Sequence, residues 1–297
     1  MTSDALDARA ADLRRDRVPY VRAVVVLAEA PTSAKPGAEA LVLPDGTIEG
    51  FVGGNCAEST VRAQGLALLD SGESLLLRIT PTPEDEQAGK LVVHNPCLSG
   101  GTLEIFLEPV MPAPTIVVVG ASPVADALRS LAGNLGWHVD QSDQLAAAPR
   151  DATAIVVASH GRDEETALTE AVDAGVPYIG LVASRKRAEA VIGSLGMCAG
   201  HTSQIHSPAG LDIGARTPSE IALSIMSEIV SLRPRPSGRP VAEAEPTAQT
   251  AIDPVCGMTV AMVDSSLHLD HEGERYWFCG SGCLRAFAAD PDSYGTA

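Results

Sequence analysis

The second half of the chain constrains the fold most. From Thr115 onward, strand-like and helix-like runs alternate: "TIVVVG", "PVADALRSLAGNLG", "WHVD", "TAIVVASH", "DEETALTEAVDAG" and "VPYIGLVAS". A helix around "KRAEAVIGSLG" and a closing helix "TPSEIALSIMSEIVSL" complete the series. Strands written as continuous Val/Ile runs are buried on both faces. Repeated strand–helix units close as a parallel sheet covered by helices on both sides. Residues 115–232 are therefore expected to form a Rossmann-like domain. Aromatic residues make up only 3% of the chain, so its cores must be built from Val, Leu, Ile and Ala.

The first turn of this domain has the position of a dinucleotide fingerprint without its full spelling. Where G-x-G-x-x-G would stand, the chain has Gly120, Ser122 and Ala125. Gly120 can make the tight turn and Ala125 allows close helix packing, but Ser122 departs where backbone should approach a pyrophosphate. Asp140, twenty residues after Gly120, ends the second strand, where an acid can accept a ribose hydroxyl. His160 ends the strand "AIVVASH", on the sheet edge where ligands of open α/β folds gather; as a lone histidine it reads equally as a structural hydrogen-bonder. Arg185 and Arg187, in "SRKR", open a helix and form an anion site or a solvated helix start. Thr217-Pro218-Ser219-Glu220 spells a capping box, and the loop before it carries Asp212 towards the same cleft.

The first half reads differently. Residues 1–17 are a short polar helix or a lead-in. Residues 18–110 give a mixed α/β domain with strands "YVRAVVVLAEA", "ESLLLRITP", "KLVVHNP" and "TLEIFLEPV", and a two-strand pattern turning at Asp45-Gly46. A helix runs through "CAESTVRAQGLALLDSG" and stops near Gly72. Two cysteines sit beside glycine pairs: Cys56 follows Gly53 and Gly54, and Cys97 precedes Gly100 and Gly101. A thiol at a helix N-terminus is favoured as thiolate, whereas a buried cysteine is ordinarily a small hydrophobe. "MPAPT" marks a joint before the second domain.

Residues 233–250, rich in Pro, Ala and polar residues, form a linker. The tail, 251–297, holds Cys256, Cys279 and Cys283. Three residues separate Cys279 from Cys283, which sets their sulfurs one helical turn apart on one face. Three cysteines in so small a piece read as a metal knuckle. Asp253, His268 and His271 are candidates for its fourth ligand.

A net charge of -17 argues against nucleic acid as a partner. The N-terminus lacks the apolar core of a secretion signal, and no apolar run approaches a membrane span. A cytoplasmic chain is expected, with its six cysteines as thiols, ligands or core residues rather than disulfides.

The blocks "GFVGGNCAE", "NPCLSGGTLEIFLEP", "VVVGASPVADAL", "ASHGRDEE", "LVASRKR" and "PAGLDIGARTPSEIALSI" together resemble the XdhC/CoxF accessory proteins, over residues 18–232. "NPCLSGGTLEIFLEP" is most similar to the carbon monoxide dehydrogenase branch. The resemblance implies a non-catalytic maturation factor, or chaperone. It would bind molybdopterin cofactor, in plain or cytosine dinucleotide form, and pass it to a molybdenum hydroxylase apoenzyme such as xanthine or carbon monoxide dehydrogenase. Cys56 and Cys97 would then hold the metal end. Sulfur would come from a separate cysteine desulfurase, because no lysine stands in a pyridoxal-binding setting; a homodimer is a further expectation. The tail resembles the YHS domain, a small treble-clef-like module, departing at Gly280 where serine is usual. That resemblance implies Zn, or Cu(I) if the hydroxylase carries copper. Two other readings stay open: an NAD(P)-dependent oxidoreductase using Gly120, Asp140 and His160, and a thiol-based copper or redox sensor.

Overall fold

The computed structural model describes residues 2–96, 101–142, 145, 149, 151–159, 161–197, 199–233 and 249–294. The chain divides into two compact units: Met1–Pro112 with Pro236–Ala297, and Ala113–Arg235.

The first unit opens with α1 (Ser3–Arg15) and β1 (Tyr20–Ala28), followed by β2 (Glu39–Val42), β3 (Ile48–Gly50), α2 (Asn55–Ser71), β4 (Leu75–Thr80), β5 (Leu91–His94) and β6 (Leu103–Val110). The strands form one sheet in the order β3-β2-β1-β6-β4-β5. Only the β4–β5 pair is parallel. Alternation along β1 decides what each face meets. Val21, Ala23 and Val25 pack with Ala57, Val61 and Leu68 of α2. Tyr20 turns to the opposite face, where Leu6, Ala10 and Leu13 of α1 cover it with Leu41. The first residues are thus a packed helix rather than a lead-in. Spacings of four and three put those three apolar side chains on one stripe.

The second unit comprises β7 (Thr115–Val119), α3 (Pro123–Asn134), β8 (His138–Ser142), β9 (Ala152–Val157), α4 (Glu164–Asp173), β10 (Tyr178–Leu181), α5 (Arg185–Ser194), α6 (Ala199–Thr202), β11 (Ile205–His206) and α7 (Pro218–Leu232). All strands are parallel, in the order β8-β7-β9-β10-β11. Counted within the sheet this is 2-1-3-4-5, the flavodoxin-like order, whose ligand crevice opens between the first and third strands. Val124, Leu128, Ile225 and Ile229 place α3 and α7 on one face. Ala167, Leu168 and Ala188 place α4 and α5 on the other. The Tyr178 hydroxyl donates to Glu228 Oε2 at 2.6 Å, tying β10 to α7. The short α6 and β11 have no periodic signal and are not foreseen from sequence.

The tail packs with the first unit. It contains a ribbon of β12 (Thr250–Ile252) and β13 (Thr259–Ala261), a hairpin of β14 (Leu267–His271) and β15 (Glu274–Phe278), and helix α8 (Ser281–Ala289). Phe287 anchors α8 on Tyr276 and Phe278. Helix α2 is buried on a second side here: Ala63 and Leu66 pack against Ala261 and Val263. The β2–β3 turn joins in, since Ser265 Oγ donates to the Asp45 carbonyl at 3.2 Å. Among the described residues no helix is long and apolar enough to cross a membrane.

Candidate functional site: a thiol-lined cavity

Gly53 makes the turn into α2 at φ +149°, and a Cβ there would lie 2.9 Å from Ala57 Cβ. Gly54 is the extended N-cap, and open space surrounds its missing Cβ. Cys56 is therefore the second residue of a 17-residue helix, among backbone N–H groups that favour a thiolate. Its neighbour Glu58 is half-buried. Burial pushes the Glu58 carboxyl above its ordinary range, and Arg62 opposes the shift.

Cys56 lines a cavity of about 1020 Å³. Thr32, Ser33, Asn95, Pro96 and Gly101 also line it. Gly101 is fixed sterically: a Cβ there would overlap the Glu29 carbonyl oxygen. Cys97 and Gly100 lie outside the described residues; the residues on either side of that stretch, Pro96 and Gly101, border the cavity.

The same cavity is lined by Cys256, Cys279 and Cys283. Cys256 comes from a tight turn in which Gly257 N–H donates to the Asp253 carbonyl at 2.8 Å. Cys279 leaves β15, and Cys283 lies in the first turn of α8. The closeness of the last two thus comes from a strand-to-helix turn rather than one helix face. Sulfur–sulfur separations from Cys279 are 3.5 Å to Cys256, 3.7 Å to Cys283 and 4.0 Å to Cys56. Cys256 and Cys283 belong with Cys279 and Asp253 to a group whose ligand atoms lie within 4.8 Å of one another.

Of the three fourth-ligand candidates, Asp253 alone joins this group. It is fully buried, and both carboxylate oxygens accept backbone N–H groups: Oδ1 from Val255 at 2.9 Å, Oδ2 from Cys279 at 2.8 Å. His268 Nδ1 instead lies 3.0 Å from the Ser266 carbonyl, and the His271 ring meets the edge of Phe287. Crowding shapes the thiols' acidity. The contact with Cys279 lowers the Cys256 pKa. Cys279 is pushed far up by Cys256 and Cys56. Burial, aided by Asp253, pushes Cys283 up to about 12. Without a cation, so many sulfurs in contact cannot all ionise.

In the second unit Gly120 is needed where it stands. It adopts φ +103°, and a Cβ would lie 2.6 Å from Ser159 Cα, so the turn after β7 lies directly against the exit of β9. Ser122 serves as the N-cap of α3, its Oγ accepting from Ala125 N–H at 3.1 Å. Asp140 lies on β8, 3.2 Å from His138 Nε2. His160 is outside the described residues. Arg185 and Asp212 are exposed, but Arg187 is engaged: its guanidinium donates to Glu164 Oε2 at 2.6 Å, and Glu164 is 1% exposed. That pair, tying α5 to α4, is not apparent from the sequence. Neither is the approach of Cys56 to the tail, because no local pattern joins positions so far apart.

Three family models match the chain: XdhC and CoxI family over residues 13–80, XdhC Rossmann domain over 116–229, and YHS domain over 251–297. The chain is 26% identical to the uncharacterized protein YqeB of Escherichia coli K12, across 75% of this chain and 45% of that protein. It is 29% identical to a probable xanthine dehydrogenase subunit of Bacillus subtilis 168, across 45% of this chain and 47% of the other. It spans less than half the length of both. It is 26% identical to the molybdenum cofactor insertion chaperone PaoD of Escherichia coli K12, across 68% of this chain and 80% of PaoD. A solved structure described as a xanthine dehydrogenase from Bacillus halodurans overlaps 77% of this chain and 97% of its own, at TM-score 0.38 and 16% identity. Two XdhC segments in order, followed by the third match, make this chain a member of the XdhC family that carries a YHS domain.

Proposed function

We propose that this protein is a carrier in molybdenum cofactor maturation: it binds the pterin cofactor and delivers it to a molybdenum hydroxylase. The observation that carries the reading is Cys56, set at the N-terminus of α2 on the wall of a cavity of about 1020 Å³, large enough for a cofactor-sized ligand. The likeness to PaoD across most of both chains supports it. Cys56 supplies a soft sulfur donor for the metal end, and Cys97 a second. The glycines beside them, Gly53, Gly54, Gly100 and Gly101, shape the approach.

Taken by itself, the second unit has the strand order of a nucleotide-binding sheet, with its crevice expected at the ends of β7 and β9. Gly120, Ser122, Asp140, His160, Arg185 and Asp212 are its candidate contacts. Arg187, which pairs with Glu164, is a further candidate contact. A cytosine dinucleotide form of the cofactor suits such a crevice. Xanthine and carbon monoxide dehydrogenases are the recipients we favour, with a cysteine desulfurase supplying sulfur. The cytoplasm is the proposed setting.

The test is purification from a host that makes the cofactor, followed by assay of molybdenum and released pterin. Both are expected near one per chain, and a folded Cys56→Ser variant is expected to retain several-fold less. A folded wild-type protein carrying neither molybdenum nor pterin contradicts the proposal.

A further inference from the structure

We propose that Cys56 is the fourth ligand of the tail's cysteine cluster, so that the XdhC segment and the YHS domain together form one four-thiolate site for a zinc-like, thiophilic divalent cation. The inference does not rest on the pterin reading; both call on the Cys56 sulfur, so the cation and the cofactor would compete for it as alternative states of one site.

Geometry supports it first. A tetrahedral site with metal–sulfur bonds of about 2.3 Å has sulfur–sulfur edges of about 3.8 Å. The three edges that meet at Cys279 measure 3.5, 3.7 and 4.0 Å, the last reaching Cys56. These three edges are those of such a site, and the Cys56 sulfur stands next to a group whose ligand atoms already lie within 4.8 Å of one another.

Electrostatics points the same way. Four thiolates around a divalent ion leave two net negative charges. Two helices begin at the cluster: α2, with Cys56 in its first turn, and α8, with Cys283 in its first turn. The partial positive charge of each N-terminus offsets the excess.

Asp253, the rival for the fourth position, already has a structural task. Its two oxygens hold the backbone of Val255 and Cys279, which organises the Cys256 turn and the Cys279 corner. This is the outer support that ligand loops ordinarily need. Gly280 is the complementary feature. A Cβ there would lie 3.4 Å from Cys56 Sγ, so the start of α8 lies directly beside that sulfur. The packing of α2 on β13 holds the two parts together.

The experiment is anaerobic titration of the reduced, metal-free full-length protein with Co(II), whose sulfur-to-metal charge-transfer absorption scales with the number of thiolate ligands. We expect one Co(II) per chain at this site. Cys56→Ser is expected to reduce the charge-transfer intensity to about three quarters, as one of four thiolates is lost. Asp253→Asn is expected to weaken Co(II) binding, since one backbone acceptor is lost, but at saturating Co(II) to keep the full charge-transfer intensity, since no thiolate is removed. A second measurement uses the wild-type protein alone: Zn(II) is expected to protect Cys56 from alkylation in step with Cys256 and Cys283. An unchanged Co(II) spectrum in Cys56→Ser overturns the proposal, as does a spectrum altered by Asp253→Asn and not by Cys56→Ser. Alkylation of Cys56 at the same rate with and without Zn(II) overturns it too.

Discussion

Cys279 Sγ lies 4.0 Å from Cys56 Sγ, although 223 positions separate the two residues in sequence. That contact makes the YHS domain part of the cavity that Cys56 lines. It depends on α2, whose two apolar faces serve two neighbours, the six-stranded sheet and β13.

The first prediction concerns that docking. Leu66 is 7% exposed and packs on Ala261. Truncating such a side chain costs about 2–4 kcal/mol. Leu66→Ala should therefore speed hydrogen exchange of the β13 amides, residues 259–261, read by mass spectrometry. Exchange there at the wild-type rate would mean that this contact does not hold the tail.

Gly120→Ala should destabilise the second unit by about 3 kcal/mol or more. The new methyl would meet the Ser159 backbone at 2.6 Å, at a positive φ that side chains resist. Denaturant unfolding checks the value; a loss below about 1 kcal/mol would show that the β7 turn can move away from β9.

Arg187 and Glu164 should respond unequally. Arg187→Ala leaves a buried carboxylate without its cation, whereas Glu164→Gln leaves an arginine that can turn to solvent. We expect a loss of about 2–3 kcal/mol for Arg187→Ala. This is less than the ~3–5 kcal/mol for breaking a fully buried pair, because Arg187 is 37% exposed. Glu164→Gln should cost less. Equal losses would contradict the asymmetry.

Acid stability offers a further check. Lys90 at 2.6 Å and Arg78 at 2.9 Å from Glu104 Oε1 hold its carboxyl below the usual carboxylate range. A depressed folded-state pKa gives stability that is present above the unfolded value, about 4.3, and lost as pH falls through the folded one. Thermal unfolding should show stability falling below about pH 4, with a shallower fall in Glu104→Gln. The same slope in both proteins would remove Glu104 from the explanation.

What could be read from the sequence follows from physical range. The strand–helix alternation after Thr115 is local and dense, and the parallel sheet follows from it. The turn at Gly120 and the α2 start at Asn55 carry their own glycines and caps, so both are legible. Leu6, Ala10 and Leu13 do spell an amphipathic stripe, but the charged residues around them make the segment look solvated. The Cys56–Cys279 approach and the Arg187–Glu164 pair are tertiary. Each depends on how separate elements pack, and no window of sequence contains both partners with a pattern between them. That Asp253, and not His268 or His271, lies beside the three tail cysteines is tertiary too, because it depends on the approach of Asp253 to Cys279 across 26 positions.

The most direct measurement is equilibrium binding of molybdenum cofactor, released anaerobically from a donor enzyme, to the metal-free full-length protein, followed by pterin fluorescence. Saturable binding of one cofactor per chain is expected, weakened at least tenfold, about 1.4 kcal/mol, in Cys56→Ser. No saturable binding to the folded protein, or equal affinity in the variant, would contradict the role given to the Cys56 cavity.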